Sequence, residues 1–371
     1  MPSLVFPPSP AAFDFRSDTI TTPTPDMVEA MATASFGDDV FREDATTQAL
    51  EARISAMLSH KAGLFVPSGT MSNQLAMRVH LLQPPHSVLC DFRAHLAQYE
   101  AGGVASLSGA MLQRVVPQNG RYLTVEDIQK AAFIDDGGVH SAPTRVISLE
   151  NTLGGVITPL EEVRRIREFA RKHGIKLHLD GARLWNVAVA GAGTLEEYGS
   201  LCDSVSVCFS KGLGAPIGSC LVGSEEFTKR ARWVRQSIGG GMRQTGLIAA
   251  AALTALDQVY PKLSATHDIA KDLAQHFAGL GVKTTLPVDT SMVFLDIQGA
   301  GLQMSWLKEA ATKRGVRFGS AGRIVVHHQI DPRAVQALKD TFSEVVDLKA
   351  KGFYKGGDGG DVGGYGGMAR L

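Results

Sequence analysis

The sequence lacks a surplus of charge of either sign. Its 371 residues include 37 Lys and Arg and 37 Asp and Glu. Nucleic acids and anionic membrane surfaces attract proteins through basic patches, so this balance argues against both as partners. The sequence also lacks an uninterrupted apolar run of about 18 residues, which a membrane-spanning helix needs. We therefore expect neither a nucleic-acid-binding protein nor a membrane protein.

Cysteine is scarce. The four cysteines have neither CxxC spacing nor paired histidines, and they lie on or near apolar, strand-like runs: Cys90, Cys202, Cys208 and Cys220. This pattern predicts buried, reduced thiols and no metal site. The first residues also lack a basic stretch followed by an apolar one, so no signal peptide is expected. A reducing compartment, the cytoplasm, is the predicted location.

The composition changes along the chain and predicts four segments. Residues 1–20 begin with a proline-rich stretch and form an N-terminal arm. A large domain over 21–256 and a small domain over 257–350 follow. The tail, 351–371, is rich in glycine and cannot bury enough apolar surface to offset the loss of backbone entropy, so it is predicted to be disordered.

The large domain alternates short β-rich runs with helical patterns. The predicted strands are Gly63–Val66, Val88–Asp91, Arg145–Glu150, Lys176–Asp180, Ser204–Phe209 and Ser219–Gly223. Several are apolar nearly throughout, as expected of strands that are covered on both faces. The clearest helix is residues 159–174, which starts at Pro159 and stops at Gly174. This alternation predicts an α/β domain with a mostly parallel sheet.

The pattern changes from about residue 257. A helix, a strand, a helix, a strand and a final helix follow in that order: His267–Leu280, Met292–Ile297, Met304–Arg314, Arg323–His327 and Pro332–Leu348. This order of elements predicts a smaller α+β domain at the C-terminal end.

Three loops follow predicted strands, where open α/β sheets place their ligands. The first holds Ser68, Gly69 and Thr70 at the start of a helix, which suits an anion such as phosphate. The second begins at Asp180, and the third contains Ser210 and Lys211. Taken alone, the first loop is as readily an ordinary helix cap, the second a strand-ending turn and the third a loop that carries a surface lysine. Together, however, a lysine that can form an imine, a carboxylate for a pyridinium nitrogen and an anion cradle predict a pyridoxal-phosphate (PLP) site.

A series of motifs in one order strengthens this prediction. They are RSDT (16–19), GDDV (37–40), SGT (68–70), HLAQYEAGG (95–103), SLENT (148–152), HLDGAR (178–183), SKGLGAPIGS (210–219) and GGGMRQTG (239–246). From about Phe15 to Val345 the chain resembles the low-specificity L-threonine aldolases. The resemblance implies the PLP-dependent transferase-like fold of the aspartate aminotransferase type. It also implies a homotetramer with the active site at a dimer interface.

The resemblance assigns roles to individual residues. It makes Lys211 the Schiff-base lysine, Asp180 the pyridinium partner and His95 the side chain stacked on the cofactor. His140 matches a second active-site histidine. The resemblance also implies six further contacts with the cofactor, from Ser68, Gly69, Thr70, Ser210, Arg183 and Arg243. It implies three contacts with the substrate carboxylate, from Ser17, Arg183 and Arg323. Arg243 is expected to reach the neighbouring subunit's site.

The sequence departs from the family's pattern at two positions. Phe41 follows GDDV where relatives usually carry tyrosine, and Leu153 follows ENT where histidine is common. Both changes remove polar groups near the expected substrate. They leave the cofactor site intact but bear on the choice of substrate.

The resemblance predicts aldol cleavage of L-threonine or L-allo-threonine to glycine and acetaldehyde. An amino-acid racemase acting on alanine is the alternative on the same scaffold, because it needs proton transfer at Cα without cleavage of the Cα–Cβ bond. A non-catalytic binding protein is a third reading. The presence of Lys211, Asp180, Arg183 and Arg323 argues against it.

Overall fold

The computed structural model describes residues 9–354. The start of the predicted N-terminal arm and nearly all of the predicted tail lie outside this range. The described chain forms two compact units. The larger comprises residues 23–153 and 157–260, and the smaller comprises the chain through Thr22, Gly154–Val156 and the chain from Pro261 onwards. The independent domains at 21–256 and 257–350 stay a prediction.

The larger unit is built on a seven-stranded sheet. Its strands are β2 (Ala62–Val66), β3 (Ser87–Asp91), β4 (Met111–Val115), β5 (Thr144–Glu150), β6 (Lys176–Asp180), β7 (Ser204–Cys208) and β8 (Ser219–Gly223). Their order across the sheet is β2-β8-β7-β6-β5-β3-β4. Only β8 runs against its neighbours, so six strands share one direction. The prediction of a mostly parallel sheet is confirmed.

The burial of a strand explains whether its sequence contains the apolar run by which it can be predicted. Every residue of β3, β7 and β8 is buried, because helices cover both faces of the sheet. Strand β4 was not among the predicted strands, and it lies at the edge of the sheet and is partly exposed. Its residues include Gln113 and Arg114, so it shows no apolar run.

Helices connect the strands of the larger unit. They are α1 (Pro25–Ala32), α2 (Ala45–Met57), α3 (Gly69–His80), α4 (His95–Gln98), α5 (Gly103–Ser108), α6 (Val125–Ala131), α7 (Leu160–Lys172), α8 (Leu184–Val189), α9 (Leu195–Ser200), α10 (Glu225–Ser237) and α11 (Gly246–Gln258). Helix α7 matches the predicted helix. Pro159 precedes its first residue, and the chain leaves it through Gly174, whose φ is 64°.

The smaller unit contains short strands and three helices. The strands are β1 (Asp14–Phe15), β9 (Met292–Phe294), β10 (Arg317–Phe318) and β11 (Arg323–Val325), and the helices are α12 (Leu263–Gly279), α13 (Met304–Lys313) and α14 (Pro332–Ala350). β1 pairs with β10 in parallel, and β9 pairs with β11 in antiparallel. The strands predicted at 292–297 and 323–327 are therefore real but shorter. Phe277 and Phe342 meet in the core, with ring centroids 4.4 Å apart.

Two predictions about the whole chain can be compared with the described residues. All four cysteines are buried and form no disulfide, as predicted. Among residues 9–354, no helix combines the length and apolar character needed to cross a membrane.

Candidate active site

The parallel strands bring the candidate residues to one edge of the sheet. β2, β5, β6 and β7 point the same way, so their carboxyl ends lie together. In the register of β5 and β6, Glu150 is the direct neighbour of Asp180. The loops that begin at Ser68 and at Ser210 leave the same edge. Residues separated by more than a hundred positions in the sequence thus meet in the larger unit.

Asp180 ends β6 as a buried carboxylate. Its Oδ1 accepts a hydrogen bond from the backbone N–H of Ala182 at 3.0 Å, and its Oδ2 accepts one from Nδ2 of Asn73 at 2.7 Å. These two hydrogen bonds orient the carboxylate. The next residue is Gly181. A Cβ at this position would lie 2.9 Å from the backbone oxygen of Ser206, which is too close for a side chain. The site therefore presents a negative charge that suits a cationic ring nitrogen.

The start of α3 has the features of a phosphate cradle. Ser68 caps the helix and accepts a hydrogen bond from the backbone N–H of Met71 at 3.2 Å. A Cβ added to Gly69 would lie 2.7 Å from Sγ of Cys208, so only glycine lets the helix begin this close to β7. The first backbone N–H groups of a helix and its dipole favour an anion. The Gly69–Thr70 backbone fits the phosphate of PLP.

Lys211 lies three residues beyond the end of β7, directly after Ser210. Backbone hydrogen bonds hold its turn: Gly214 N–H donates to the Lys211 carbonyl at 2.9 Å, and Ala215 N–H donates to that of Phe209 at 3.1 Å. The positive charge of Lys211 counteracts the rise in the pKa of Glu150 that burial causes. The Lys211 ammonium thus lowers the pKa of the same glutamate whose pKa the charge of Asp180 raises.

His95 is the first residue of α4 and is held by two glutamates. Its Nδ1 lies 2.7 Å from Oε1 of Glu100, and its backbone N–H donates to Oε2 of Glu150 at 2.7 Å. Burial lowers the pKa of His95, but the hydrogen bond to Glu100 and the charges of Asp180, Glu100 and Glu150 outweigh it, so the pKa is raised above 6.5. About one third of the side chain is exposed, at 34%. The ring is open on one side while Glu100 holds the other.

Glu150 is the third carboxylate at this edge. Burial, together with the charge of Asp180, raises its pKa to about 7. Two negative charges held close together in a poorly solvated place favour protonation of one of them. Glu150 is therefore more easily protonated than an exposed glutamate.

Sequence analysis assigned no role to three residues of this cluster: Asn73, Glu100 and Glu150. The last two lie inside the quoted motifs HLAQYEAGG and SLENT, and Asn73 follows SGT by three positions. One polar atom each from His95, Glu100 and Asp180 lies within 4.8 Å of the others, a donor set that could also hold a cation. Asn73 donates to both of these carboxylates. That contact fits a site without a metal, and the absence of a metal stays a prediction.

The structure does not bring His140 into the cluster. It is exposed and precedes β5, at the amino edge of the sheet. Glu150 is the last of the seven residues of β5, and at about 3.3 Å per residue the strand spans roughly 20 Å. Within the chain His140 thus lies away from this edge. The match of His140 to a second active-site histidine stays a prediction from the resemblance.

The predicted arginines and Ser17 lie at different places. Arg183 is the N-cap residue of α8 and lies three residues after Asp180. Arg243 is exposed, and its Nη1 lies 3.0 Å from Oδ2 of Asp38. Ser17 and Arg323 belong to the smaller unit, where Ser17 caps a 3₁₀ turn and Arg323 begins β11. Their roles toward cofactor and substrate stay predictions.

Known proteins resemble this chain over most of its length. The family model described as beta-eliminating lyase matches residues 14–300. Aldolase vrtJ of Penicillium aethiopicum is 52% identical, over 91% of this chain and 87% of that protein. The low-specificity L-threonine aldolase of Candida albicans is 48% identical, over 91% of each chain. Alanine racemase TOXG of Cochliobolus carbonum is 43% identical, over 91% of this chain and 89% of that protein.

A solved structure supports the fold. The structure of a threonine aldolase from Leishmania major superposes with a TM-score of 0.77, over 90% of this chain and 99% of that one, at 19% sequence identity. At this level of identity the likeness concerns the fold. It confirms the predicted α/β fold of the aspartate aminotransferase type.

Proposed function

Because this chain belongs to the beta-eliminating lyase family of PLP-dependent enzymes, we propose that it cleaves L-threonine and L-allo-threonine to glycine and acetaldehyde. Related β-hydroxy-α-amino acids would give glycine and the corresponding aldehyde. The observation that carries the proposal is the high identity to curated L-threonine aldolases along nine-tenths of the chain. The cluster of Asp180, Lys211 and His95 at the carboxyl edge supports it.

The residues at this edge fit PLP. Lys211 would hold it covalently, Asp180 would face its ring nitrogen, and Gly69, Thr70 and Ser210 would bind its phosphate. When bound, PLP supplies an electron sink for the pair of electrons left by the broken Cα–Cβ bond. The protein's part is to orient the substrate and to move a proton.

His95 is suited to remove the proton of the substrate's β-hydroxyl group. The hydrogen bond to Glu100 retains a proton on Nδ1 and leaves Nε2 as the acceptor in the neutral ring. Loss of the hydroxyl proton lets the oxygen form the carbonyl of the aldehyde as the Cα–Cβ bond breaks. Arg183 would bind the substrate carboxylate, and the same role for Ser17 and Arg323 stays a prediction from the resemblance.

Replacement of His95 by phenylalanine should reduce threonine cleavage by about 10²-fold, because a positioned general base typically contributes that much. Steady-state kinetics with acetaldehyde detection measure the effect. His173→Phe is the matched control, and its kcat should stay close to that of the unmodified enzyme because His173 follows α7 at the amino edge of the sheet. Equal losses in both variants would contradict the assignment.

Glu100→Gln should move the acidic limb of the kcat/KM profile to lower pH. Glu100 raises the pKa of His95 by accepting its Nδ1–H with a negative charge. A neutral amide removes that charge, so His95 loses its proton at a lower pH. Glu162→Gln is the control, since Glu162 binds the backbone N–H of Val125. An acidic limb that stays in place or rises would show that His95 does not control it.

A second candidate is racemisation of alanine. It is favoured by the relative named alanine racemase TOXG and by Leu153, which is buried and lines a cavity of about 10 Å³ with Glu150 and Asp91. Leu153 offers no polar group for a β-hydroxyl. Assays for acetaldehyde from both threonine diastereomers and for D-alanine from L-alanine, at equal enzyme concentration, decide between the two. Rapid racemisation with negligible aldehyde would overturn the aldolase proposal.

We further propose a homotetramer in the cytoplasm, with active sites at a dimer interface. Three apolar side chains in and beside the GDDV segment are exposed: Phe36, Val40 and Phe41. Phe41 is 70% exposed, and such a patch suits contact with a second copy. Arg243 pairs with Asp38 of the same segment. Light scattering at assay concentration tests the assembly, and a fully active monomer would contradict it.

A further inference from the structure

The side-chain amide of Asn73 joins two of the buried carboxylates. Its Nδ2 donates to Oδ2 of Asp180 at 2.7 Å and to Oε1 of Glu100 at 2.8 Å. Both N–H bonds of the amide are thus used, one for each acid. The same Oε1 of Glu100 receives the hydrogen bond of His95. Asn73 therefore connects the expected partner of the ring nitrogen with the expected general base.

A chain of buried polar side chains lies behind Asn73. Its Oδ1 is 3.1 Å from Nε2 of His178, whose Nδ1 is 2.8 Å from Oγ of Ser204. The same Oγ is 2.8 Å from Nε2 of His80. Asn73, His178 and Ser204 are almost completely buried.

The fold explains how these four residues meet. His178 and Asp180 are two positions apart on β6 and so share one face of the sheet. His178 is the direct neighbour of Ser204 on β7. Asn73 and His80 are seven positions apart on α3, which is two helical turns, so they lie on the same side of that helix. The chain of hydrogen bonds thus ties α3 to two adjacent strands.

The donor and acceptor atoms of these side chains allow only one direction for the series of hydrogen bonds. The amide must turn its N–H groups to the carboxylates, so Oδ1 of Asn73 accepts a hydrogen bond from Nε2 of His178. His178 then accepts from Ser204 at Nδ1, and Ser204 accepts from His80. Burial lowers the pKa of His178 to about 4 and that of His80 to about 3, so both rings are neutral and can each donate from one nitrogen.

We propose that Asn73 and His178 are positioning residues of the cofactor site, with the His80–Ser204–His178 chain holding the Asn73 amide so that it donates to Asp180 and Glu100. The amide donates one N–H to each of the two neighbouring carboxylates and so holds both in place. It thereby sets the orientation of Asp180 toward the ring nitrogen and of Glu100 toward His95. The inference rests on the proposed use of PLP and is independent of which amino acid is cleaved.

The experiment measures the dissociation constant of PLP by titrating the cofactor-free, full-length protein, beside its melting temperature without cofactor. Asn73→Asp removes both donors and adds a third charge. His178→Phe removes the donor behind the amide. We expect both to raise the dissociation constant about ten- to a hundred-fold, the range for loss of a hydrogen bond to a charged group.

Two further variants separate positioning from simple packing. His178→Gln keeps a donor and an acceptor and should recover most of the affinity that His178→Phe loses. Ser204→Ala removes a single hydroxyl and should raise the dissociation constant about tenfold. Ser206→Ala is the matched control. Ser206 is equally buried on the same face of β7, but its hydroxyl has no hydrogen-bond partner among the described residues.

The outcomes are distinct. A loss of affinity in Asn73→Asp, His178→Phe and Ser204→Ala, with rescue by His178→Gln and no change in Ser206→Ala, supports the inference. Equal affinities in Ser204→Ala, Ser206→Ala and the unmodified protein would overturn it, even if the bulkier variants fail to fold. Failure to cleave threonine would refute the proposed reaction, whereas these titrations would still test the positioning role.

Discussion

Lys211→Ala is expected to abolish covalent attachment of the cofactor and to lower kcat by roughly 10³-fold or more, equivalent to about 4 kcal/mol of activation free energy. Lys211 follows β7 at the edge where the phosphate cradle and Asp180 also lie. Among the residues of these loops, Lys211 supplies the primary amine, and only a primary amine forms an imine with the aldehyde of PLP. Loss of visible absorption and of turnover measures the effect.

Lys211→Arg separates the amine from its charge. The guanidinium keeps a positive charge beside Glu150 but stays protonated and cannot attack a carbonyl carbon. This variant should therefore bind PLP without a covalent bond and stay inactive. Borohydride reduction of the unmodified enzyme, followed by peptide mapping, should label Lys211. A label on another lysine would show that the assignment is wrong.

Asp180→Asn is expected to lower kcat by about 10²- to 10³-fold while some PLP binding is retained. Asparagine has nearly the same shape and can still accept the hydrogen bond of Ala182. It carries no charge, however, and cannot hold a ring nitrogen in its protonated form. The electron sink then weakens, because a charge-assisted hydrogen bond is about twice as strong as a neutral one. Single-turnover kinetics at saturating PLP measure the change in rate.

Asp203→Asn provides the control for the removal of a carboxylate. Asp203 directly precedes β7 at the amino edge of the same sheet and accepts a hydrogen bond from the backbone N–H of Leu177. Its replacement affects local stability and should leave kcat unchanged. An unchanged kcat in Asp180→Asn would refute the electron-sink role, and parallel losses in both variants would indicate a general effect on folding.

Six of the seven strands of the larger sheet and helix α7 could be predicted because their patterns are local. Buried strands such as β7 are apolar along their whole length, and Pro159 and Gly174 mark the ends of α7. The exception was β4, whose exposed edge position leaves no continuous apolar run. Asp180 and Lys211 could be predicted for the same reason, because each follows a recognisable strand and strand ends meet at one edge of a parallel sheet.

The side chains that form hydrogen bonds with the site residues could not be predicted from local sequence patterns. Asn73 is 107 residues from Asp180 and 27 from Glu100, yet it donates hydrogen bonds to both. Sequence distance predicts neither contact.

By itself, then, the sequence determined the α/β class, the edge that holds the site and the lysine and aspartate expected to bind the cofactor. These follow from local hydrophobic periodicity and from residue types at strand ends. The tertiary structure alone decided that Glu100 holds His95, that Glu150 lies beside Asp180 with a raised pKa, and that Asn73 links the acids. The physical reason is that hydrogen bonds and charge interactions act over a few ångströms in space, and the packing of α3 and α4 against the sheet sets those distances.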